Sequence, residues 1–535
     1  MSTPDGAGTP VSPGERPPDE RQTTRYGWHP QPDLLDFGSP ERGREVLERL
    51  GRGAWAAALD YLYGEAVRRA VGPDSYPARR RSYFGPLDAP GMAPDAPATF
   101  EELLEEFRHR LAPYMLNAHH PRALPYFTPP ALPISIVGEL LAQWTNQGVD
   151  LWACSPVASL VEEEVVRWLC DLVGYGAGSF GVLTSGGVMA NVMALTIARD
   201  VHLPGLLGLD GPPRGADLER VRVYASDQTH FSIARALDLL GFPHQTLRVL
   251  PSDQRFRLQA ESVSRAVAED REAGLVPFAV SAVAGSTNTG SVDPVGELAE
   301  VARREGLWFH VDAAYGGAVR LSGRDRERVR DLELADTITL DPHKWFFQPH
   351  DIGGLLVRRR EHLSQTFHRS PEYYRSSHVE GKPLDWYRYS LEGTRRFRGL
   401  KLWFSWKFLG TEGFGHLIEH TIDLAAHLAR RCRESDDLEA LPEEPELSVV
   451  CFRHAPGGLD RAAGLDPEAL DRYQDRLQRA LEVSGEGWLS TTRLRGRTYL
   501  RAGIVNYLST EDDIDGLLAT LRRLSPGAAR EAGVR

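Results

Sequence analysis

Lys344 stands in Asp341-Pro342-His343-Lys344-Trp345, between the apolar stretch Thr337-Ile338-Thr339-Leu340 and the aromatic run Trp345-Phe346-Phe347, a poor setting for a solvated ammonium. Thirty-two residues upstream, the apolar run Leu307-Trp308-Phe309-His310-Val311 ends in Asp312, followed by Ala313-Ala314-Tyr315-Gly316-Gly317. Burial lowers a lysine pKa and makes the amine nucleophilic. An amine and a carboxylate at two strand ends suit pyridoxal phosphate. That cofactor needs a lysine for its Schiff base and a carboxylate to keep the pyridine nitrogen protonated, so that the ring serves as an electron sink. Taken singly, a lysine after a proline is more often a surface residue. The pairing with Asp312 carries the reading.

Three further segments place polar groups at strand ends. Phe180-Gly181-Val182-Leu183 reads as a short strand, Thr184-Ser185-Gly186-Gly187 as a turn and Val188 to Arg199 as a helix, so backbone amides and a helix N-terminus converge where a phosphate could bind. The segment from Tyr224 to Ser232 sets His230 at a second strand-to-helix turn, with Gly241 in the C′ position after Leu240. The segment from Ala284 to Pro294 follows the run Pro277 to Val283 and brings hydroxyls, Ser286 among them, to a third strand end. Each of these alone is ordinary turn chemistry.

Together, His310-Val311-Asp312-Ala313-Ala314-Tyr315-Gly316-Gly317 and Asp341-Pro342-His343-Lys344-Trp345 resemble the signature pair of group II pyridoxal-dependent amino-acid decarboxylases, which include aromatic-amino-acid, histidine and glutamate decarboxylases. The resemblance runs from about residue 100 to about 520, with the motifs in the family's order and at similar spacing. It implies that Lys344 carries the cofactor, that Asp312 holds the pyridinium, and that His230 stacks on the ring opposite Lys344 and contacts the substrate carboxylate. Ser185, Gly186 and Gly187 match the phosphate-gripping turn, where Val188 replaces the usual small hydroxyl residue and removes one donor. Ser286 falls near the cofactor's phenolic oxygen, Ala314 below the ring, and Asp341 and His343 flank the lysine as cofactor-binding residues. Tyr373, in Ser370-Pro371-Glu372-Tyr373-Tyr374, matches the catalytic-loop tyrosine that helps protonate Cα after carbon dioxide leaves. Phenylalanine there accompanies oxidative deamination to an aldehyde.

The substrate pocket is expected from Tyr126, Phe127 and Val149 on one wall and from Thr394, ahead of Arg395-Arg396-Phe397, on the other. The same aromatic residues could equally be ordinary core, and Asp150 and Asn146 leave room for a cationic side chain. Arg501 resembles the arginine that in some relatives pairs with the substrate α-carboxylate, although a structural acid would serve a buried arginine equally well.

The elements that must hold these residues follow from the rest of the chain. Over 155–400, apolar runs of four to six residues alternate with helical patterns, the mark of an α/β fold with a mostly parallel sheet covered on both faces and ligands at the strands' carboxyl ends. The expected organisation is a disordered extension over 1–25, an N-terminal helical segment over 26–118, a large cofactor-binding α/β domain over 119–404 and a small C-terminal α+β domain over 405–535. The resemblance implies the fold-type-I arrangement of pyridoxal-phosphate-dependent transferases, working as a homodimer.

The 535 residues carry a net charge of −12 with acids and bases interspersed, which offers neither a basic stripe for nucleic acid nor a polybasic membrane anchor. Cys154, Cys170, Cys432 and Cys451 have no metal-binding spacing and are too few for a disulfide framework, so no metal is expected and a reducing cytoplasm fits. Neither a leader nor a stretch of about eighteen apolar residues is visible. The expected reaction is decarboxylation of an L-amino acid, aromatic in the first place (tyrosine, DOPA or phenylalanine), to its amine. The alternatives are a cationic or acidic substrate, an aldehyde synthase using the same cofactor, and a non-catalytic relative.

Overall fold

The computed structural model describes residues 29–35, 39–64, 94–369, 372 and 384–534. The extension read over 1–25 and Tyr373 of the catalytic-loop reading lie outside the described residues. The chain divides into two compact units, one within 1–116 and one over 117–535. In the first, the helix Pro40–Tyr63 starts on the Ser39 hydroxyl with proline in its first turn, and Phe100–Glu106 starts on a reciprocal Thr99–Glu102 capping box. Arg49 bridges Asp33 and Glu101.

The second unit is built on a seven-stranded sheet of β1 (Phe180–Thr184), β2 (Val221–Ser226), β3 (Leu247–Leu250), β4 (Val276–Val283), β5 (Trp308–Asp312), β6 (Thr337–Leu340) and β7 (Gly353–Val357), in the spatial order β1-β7-β6-β5-β4-β2-β3. Strands β1, β5, β6 and β7 are buried along their whole length, as strands covered by helices on both faces must be. The parallel pairs are β2 with β3, β2 with β4, β4 with β5, and β5 with β6, whereas β7 runs against both β6 and β1. The connection from Leu340 to Gly353 contains no helix, and a strand returning without a crossover must pair antiparallel. Because only β7 is reversed, the carboxyl ends of β1, β2, β4, β5 and β6 share one edge.

A second, antiparallel sheet joins β8 (Leu438–Ala440), β9 (Val449–His454), β10 (Ser490–Leu494) and β11 (Arg497–Gly503) in the order β10-β11-β9-β8. Its core, with Val450, Phe452, Leu500 and Ala502, is closed by the helices Pro467–Ser484 and Glu511–Ala532 through Tyr473, Leu477, Leu517 and Leu521. The helix Gly399–Arg433 carries the chain from one sheet to the other and bends at Gly410, whose φ of 64° a side chain would resist. Among the described residues no helix is long and apolar enough to cross a membrane.

Candidate active site

The carboxyl edge of the large sheet opens into a cavity of about 420 Å³. Ser185, Gly186 and Gly187 reach it from the turn after β1, Asp312 and Ala314 from the end of β5, and Asp341, His343 and Lys344 from the segment after β6. His230 comes from the turn between β2 and the helix Ser232–Leu239. That helix is closed by Gly241 at φ 80°, the C′ position expected of it.

Ser185 and Gly186 precede the helix Gly187–Ile197, whose first backbone amides have no partner within the helix and so favour an anion. A Cβ on Gly187 would approach Asp341 Oδ2 to 2.8 Å, so glycine is what lets the turn lie against that carboxyl. Asp312 is buried, its Oδ2 accepting from Asn191 Nδ2 at 2.9 Å and its Oδ1 from the Ala314 amide at 3.1 Å. His343 donates through Nδ1 to the Ile352 carbonyl, 2.8 Å away, and burial pushes its imidazole down to about 4. Burial also lowers His230, with Lys344 and Arg235 acting the same way against the pull of Asp312 and Asp341.

Lys344 Nζ lies 3.2 Å from Asp341 Oδ2, and Asp341 Oδ1 has no hydrogen-bond partner among the described residues. The three-residue spacing therefore makes an ion pair that the sequence reading does not anticipate. Burial pushes the Asp341 carboxyl up to about 6, against the attraction of Lys344. A raised carboxyl contributes stability below its ordinary value, and that contribution is lost as pH rises through the folded value. Moving from 3.8 to about 6 corresponds to about 3 kcal/mol. Between about pH 4 and about pH 7 the apoprotein should accordingly lose about that much stability relative to Asp341→Asn. Urea denaturation of both proteins across this range checks it, and a constant difference would refute the assignment.

The remaining expected residues are less uniform in placement. Ser286 does not line the cavity: it is buried, with its hydroxyl tied to Thr289 Oγ1 at 2.9 Å and Ser291 Oγ at 2.8 Å, while its neighbours Gly285 and Thr287 face the space. Phe127 stacks on Tyr315 at 4.0 Å, and its ring centroid is 6.0 Å from Lys344 Nζ. Tyr126 is exposed, Thr394 is exposed, and Val149 is wholly inside the core, its amide bonded to the Arg395 carbonyl. Arg501 is buried over the Phe127 ring, and among the described residues no acid pairs with it. Its partners are the backbone carbonyls of Pro125, Thr287 and Asn288 and, at 3.5 Å, Ser490 Oγ, and Nη2 has no hydrogen-bond partner among the described residues.

Asn191 is the residue that sequence reasoning passed over. It contacts Asp312 directly, and its one visible signal was an amide inside the otherwise apolar stretch Val188-Met189-Ala190-Asn191-Val192-Met193. Among the described residues no group of histidine, cysteine and carboxylate side chains is arranged to hold a metal ion.

Pyridoxal phosphate fits this donor set. A glycine turn and a helix start are available for the phosphate, the Lys344 amine for the aldehyde and the Asp312 carboxylate for the ring nitrogen, all facing one cavity. Residues 85–455 match the model of the pyridoxal-dependent decarboxylase conserved domain. An aromatic-L-amino-acid decarboxylase of Bacillus atrophaeus is 33% identical over 427 residues, 79% of this chain and 85% of the relative. An L-2,4-diaminobutyrate decarboxylase of Acinetobacter baumannii is 32% identical over 416 residues, 76% of this chain and 80% of the relative. The crystal structure of Oryza sativa TDC with PLP and tryptamine superposes with a TM-score of 0.82 at 28% identity, covering 91% of this chain and 99% of that one. Cavity, lysine, carboxylate and these likenesses agree, and the chain belongs to the pyridoxal-dependent decarboxylase family.

Proposed function

We propose that the protein decarboxylates an aromatic L-amino acid, with tyrosine, DOPA and phenylalanine as the first candidates, and releases the amine and carbon dioxide. The observation that carries the aromatic preference is the Tyr315 ring, which lines the cavity and stacks on Phe127 at 4.0 Å and on Trp345 at 4.7 Å behind it. A cationic side chain would need a carboxylate of its own. Among the described residues the carboxylates lining the cavity are Asp312, which would serve the ring nitrogen, and Asp341, which pairs with Lys344. When bound, pyridoxal phosphate accepts the electron pair that decarboxylation leaves on Cα.

The chain supplies position and protons. Lys344 would hold the cofactor through its amine, Asp312 would keep the ring nitrogen charged, and Ser185, Gly186 and Gly187 would hold the phosphate. His230 orients the substrate carboxylate, and Tyr373 protonates Cα. Ala314 lines the cavity where it would lie below the ring, and His343 flanks the lysine. Arg501, with an unpartnered Nη2, suits the rim of the substrate site. Tyr126 and Thr394, with exposed side chains, would act on the substrate only from outside the cavity, and Val149, in the core, only by supporting its wall.

A homodimer is part of this proposal. Val137, Leu140 and Trp144 form an exposed apolar stripe on the helix Pro133–Thr145, and Leu47, Trp55, Leu59 and Tyr63 form another on Pro40–Tyr63. Such faces are covered by a second copy at modest cost. The four cysteines, none in a disulfide, are in keeping with a reducing cytoplasm.

Relatives at about 30% identity include a diaminobutyrate decarboxylase and, at 29%, a phenylacetaldehyde synthase of Petunia hybrida, so the product must be measured and not only the gas. Purified protein with pyridoxal phosphate, offered the twenty L-amino acids plus DOPA, ornithine and diaminobutyrate, should release carbon dioxide and amine with the aromatic ones. Tyr373→Phe should retain cofactor and shift product toward aldehyde, ammonia and peroxide. Release from cationic or acidic substrates alone would overturn the aromatic pocket. Undiminished amine from Tyr373→Phe would remove the proton-donor role.

A further inference from the structure

Behind His230 and Asp312 lies a line of buried polar side chains that the reaction scheme does not use. It begins at Trp308, whose indole Nε1 is 3.2 Å from Thr337 Oγ1, and Thr337 Oγ1 is 3.0 Å from His310 Nδ1. His310 Nε2 is 3.1 Å from Asn191 Oδ1, which also takes the Thr339 hydroxyl at 2.6 Å. Asn191 Nδ2 reaches both Asp312 Oδ2 at 2.9 Å and Ser232 Oγ at 2.8 Å, and Ser232 Oγ is 2.8 Å from His230 Nδ1. The β5–β6 register sets His310 opposite Thr337 and Asp312 opposite Thr339, which brings both pairs against one face of the helix Gly187–Ile197. Thr337, His310, Asn191, Thr339 and Ser232 are all buried.

The directions follow from the Asp312 carboxylate, which only accepts, so Asn191 gives it an N–H and leaves Oδ1, an acceptor only, to His310 Nε2. A neutral His310 that donates from Nε2 accepts at Nδ1 the proton of Thr337 Oγ1, which in turn accepts from the Trp308 indole. His310, kept neutral because burial pushes it down to about 4, then carries its proton on Nε2 and donates to Asn191 Oδ1. With its carbonyl so occupied, the Asn191 amide turns its two N–H groups to Asp312 and Ser232. Ser232 Oγ accepts one of them, and its remaining proton points at His230 Nδ1, toward which the Ser232 backbone N–H is also directed at 3.4 Å.

We propose that this one-way chain fixes His230 as the neutral tautomer protonated on Nε2, the nitrogen left for the cavity, with Asn191 and Ser232 as positioning residues that tie it to Asp312. Among the described residues the charged groups that act most on the ring are Asp312, Lys344, Asp341 and Arg235, while Nδ1 is met by Ser232 Oγ. The catalytic meaning rests on the decarboxylase reading of the site; the proton pattern does not. A neutral N–H donor orients a substrate carboxylate without the grip of an imidazolium. That matters because the carboxylate's charge disappears as carbon dioxide leaves, and ground-state binding that is lost in the transition state slows the step.

The test is ¹⁵N NMR of the full-length holoenzyme labelled in its histidine rings, with His230 identified by the signal missing from His230→Gln. Wild type should show His230 protonated on Nε2 alone. Ser232→Ala and Asn191→Leu should lower the Nε2–H to Nδ1–H ratio by about tenfold, the equivalent of one lost hydrogen bond. Ser232→Thr, which keeps the hydroxyl, should restore it, and Thr337→Val should redistribute the proton on His310 first. Folding of each variant is checked by its melting temperature and by the visible absorbance of the bound cofactor. A wild-type ring protonated on Nδ1 or on both nitrogens would overturn the inference, as would an unchanged ratio in folded Ser232→Ala. Absence of carbon dioxide release from a wild type with the expected ring proton would instead overturn the decarboxylase reading, leaving the proton chain in place.

Discussion

Lys344→Ala should fold, bind pyridoxal phosphate without a covalent link and lose decarboxylation by a factor on the order of 10⁴–10⁶, the scale seen when a covalent catalyst is deleted. The fold is expected to survive for an electrostatic reason. Lys344 is partly exposed at the cavity, and its ion-pair partner Asp341 is a carboxyl that burial already pushes up to about 6. Taking away the ammonium removes the attraction that opposes this rise, so Asp341 climbs further and takes up a proton more readily than it stays an unpaired buried charge. Borohydride treatment separates the two effects. It should fix cofactor irreversibly to wild type and not to the variant, while both show the same urea midpoint within error. Turnover within about tenfold of wild type would show that another amine carries the cofactor, and the assignment of Lys344 would fail.

What could be read from the chain alone was what local pattern controls. The apolar runs before Ser185, His230, Ser286, Asp312 and Lys344 are strands or strand ends because buried parallel strands demand continuous apolar stretches, and their common carboxyl edge follows from the topology. The Gly241 cap and the glycine turn before Val188 were equally local. What escaped was set by side-chain direction and by distant partners. Whether Val149 and Thr394 face a pocket, the core or solvent depends on packing that no spacing encodes, and they fall in the core and at the surface. Ser286 turns inward to Thr289 and Ser291 because a hydroxyl in a tight loop finds its nearest partners within the loop. Asn191 partners residues 41 and 121 positions away, so its role became visible only once the helix was laid across β5 and β6. The reversal of β7 was missed for a related reason. An apolar run reads the same in either direction, and the missing crossover helix is the only clue.

Arg395→Met should destabilise the protein by about 3–5 kcal/mol, the usual consequence of stripping one partner from a buried ion pair. Arg395 and Glu162 are both fully buried, and the guanidinium pairs with Glu162 while donating to the Leu183 carbonyl at 2.8 Å and the Val149 carbonyl at 3.0 Å. Burial drives the Glu162 carboxyl upward, and Arg395, followed by Arg398, opposes that rise. Without Arg395, Glu162 must either remain a poorly compensated charge or take up a proton, and two backbone carbonyls lose a donor. Arg398 reaches Leu183 only at 3.3 Å and is already paired with Glu392, so it cannot replace the lost bonds. Glu162→Gln combined with Arg395→Met should recover more than half of the loss, since the neutral pair no longer buries a lone charge. Urea denaturation of the two single variants and the double variant measures this coupling, and a cost below about 1 kcal/mol for Arg395→Met would reject it. The same variant should also weaken cofactor binding, because Leu183 is two residues before Ser185 and the clamp on its carbonyl holds the end of β1 from which the phosphate turn departs. Stability and cofactor affinity should therefore fall together in Arg395→Met and return together in the double variant, which a purely local effect on the cavity would not produce.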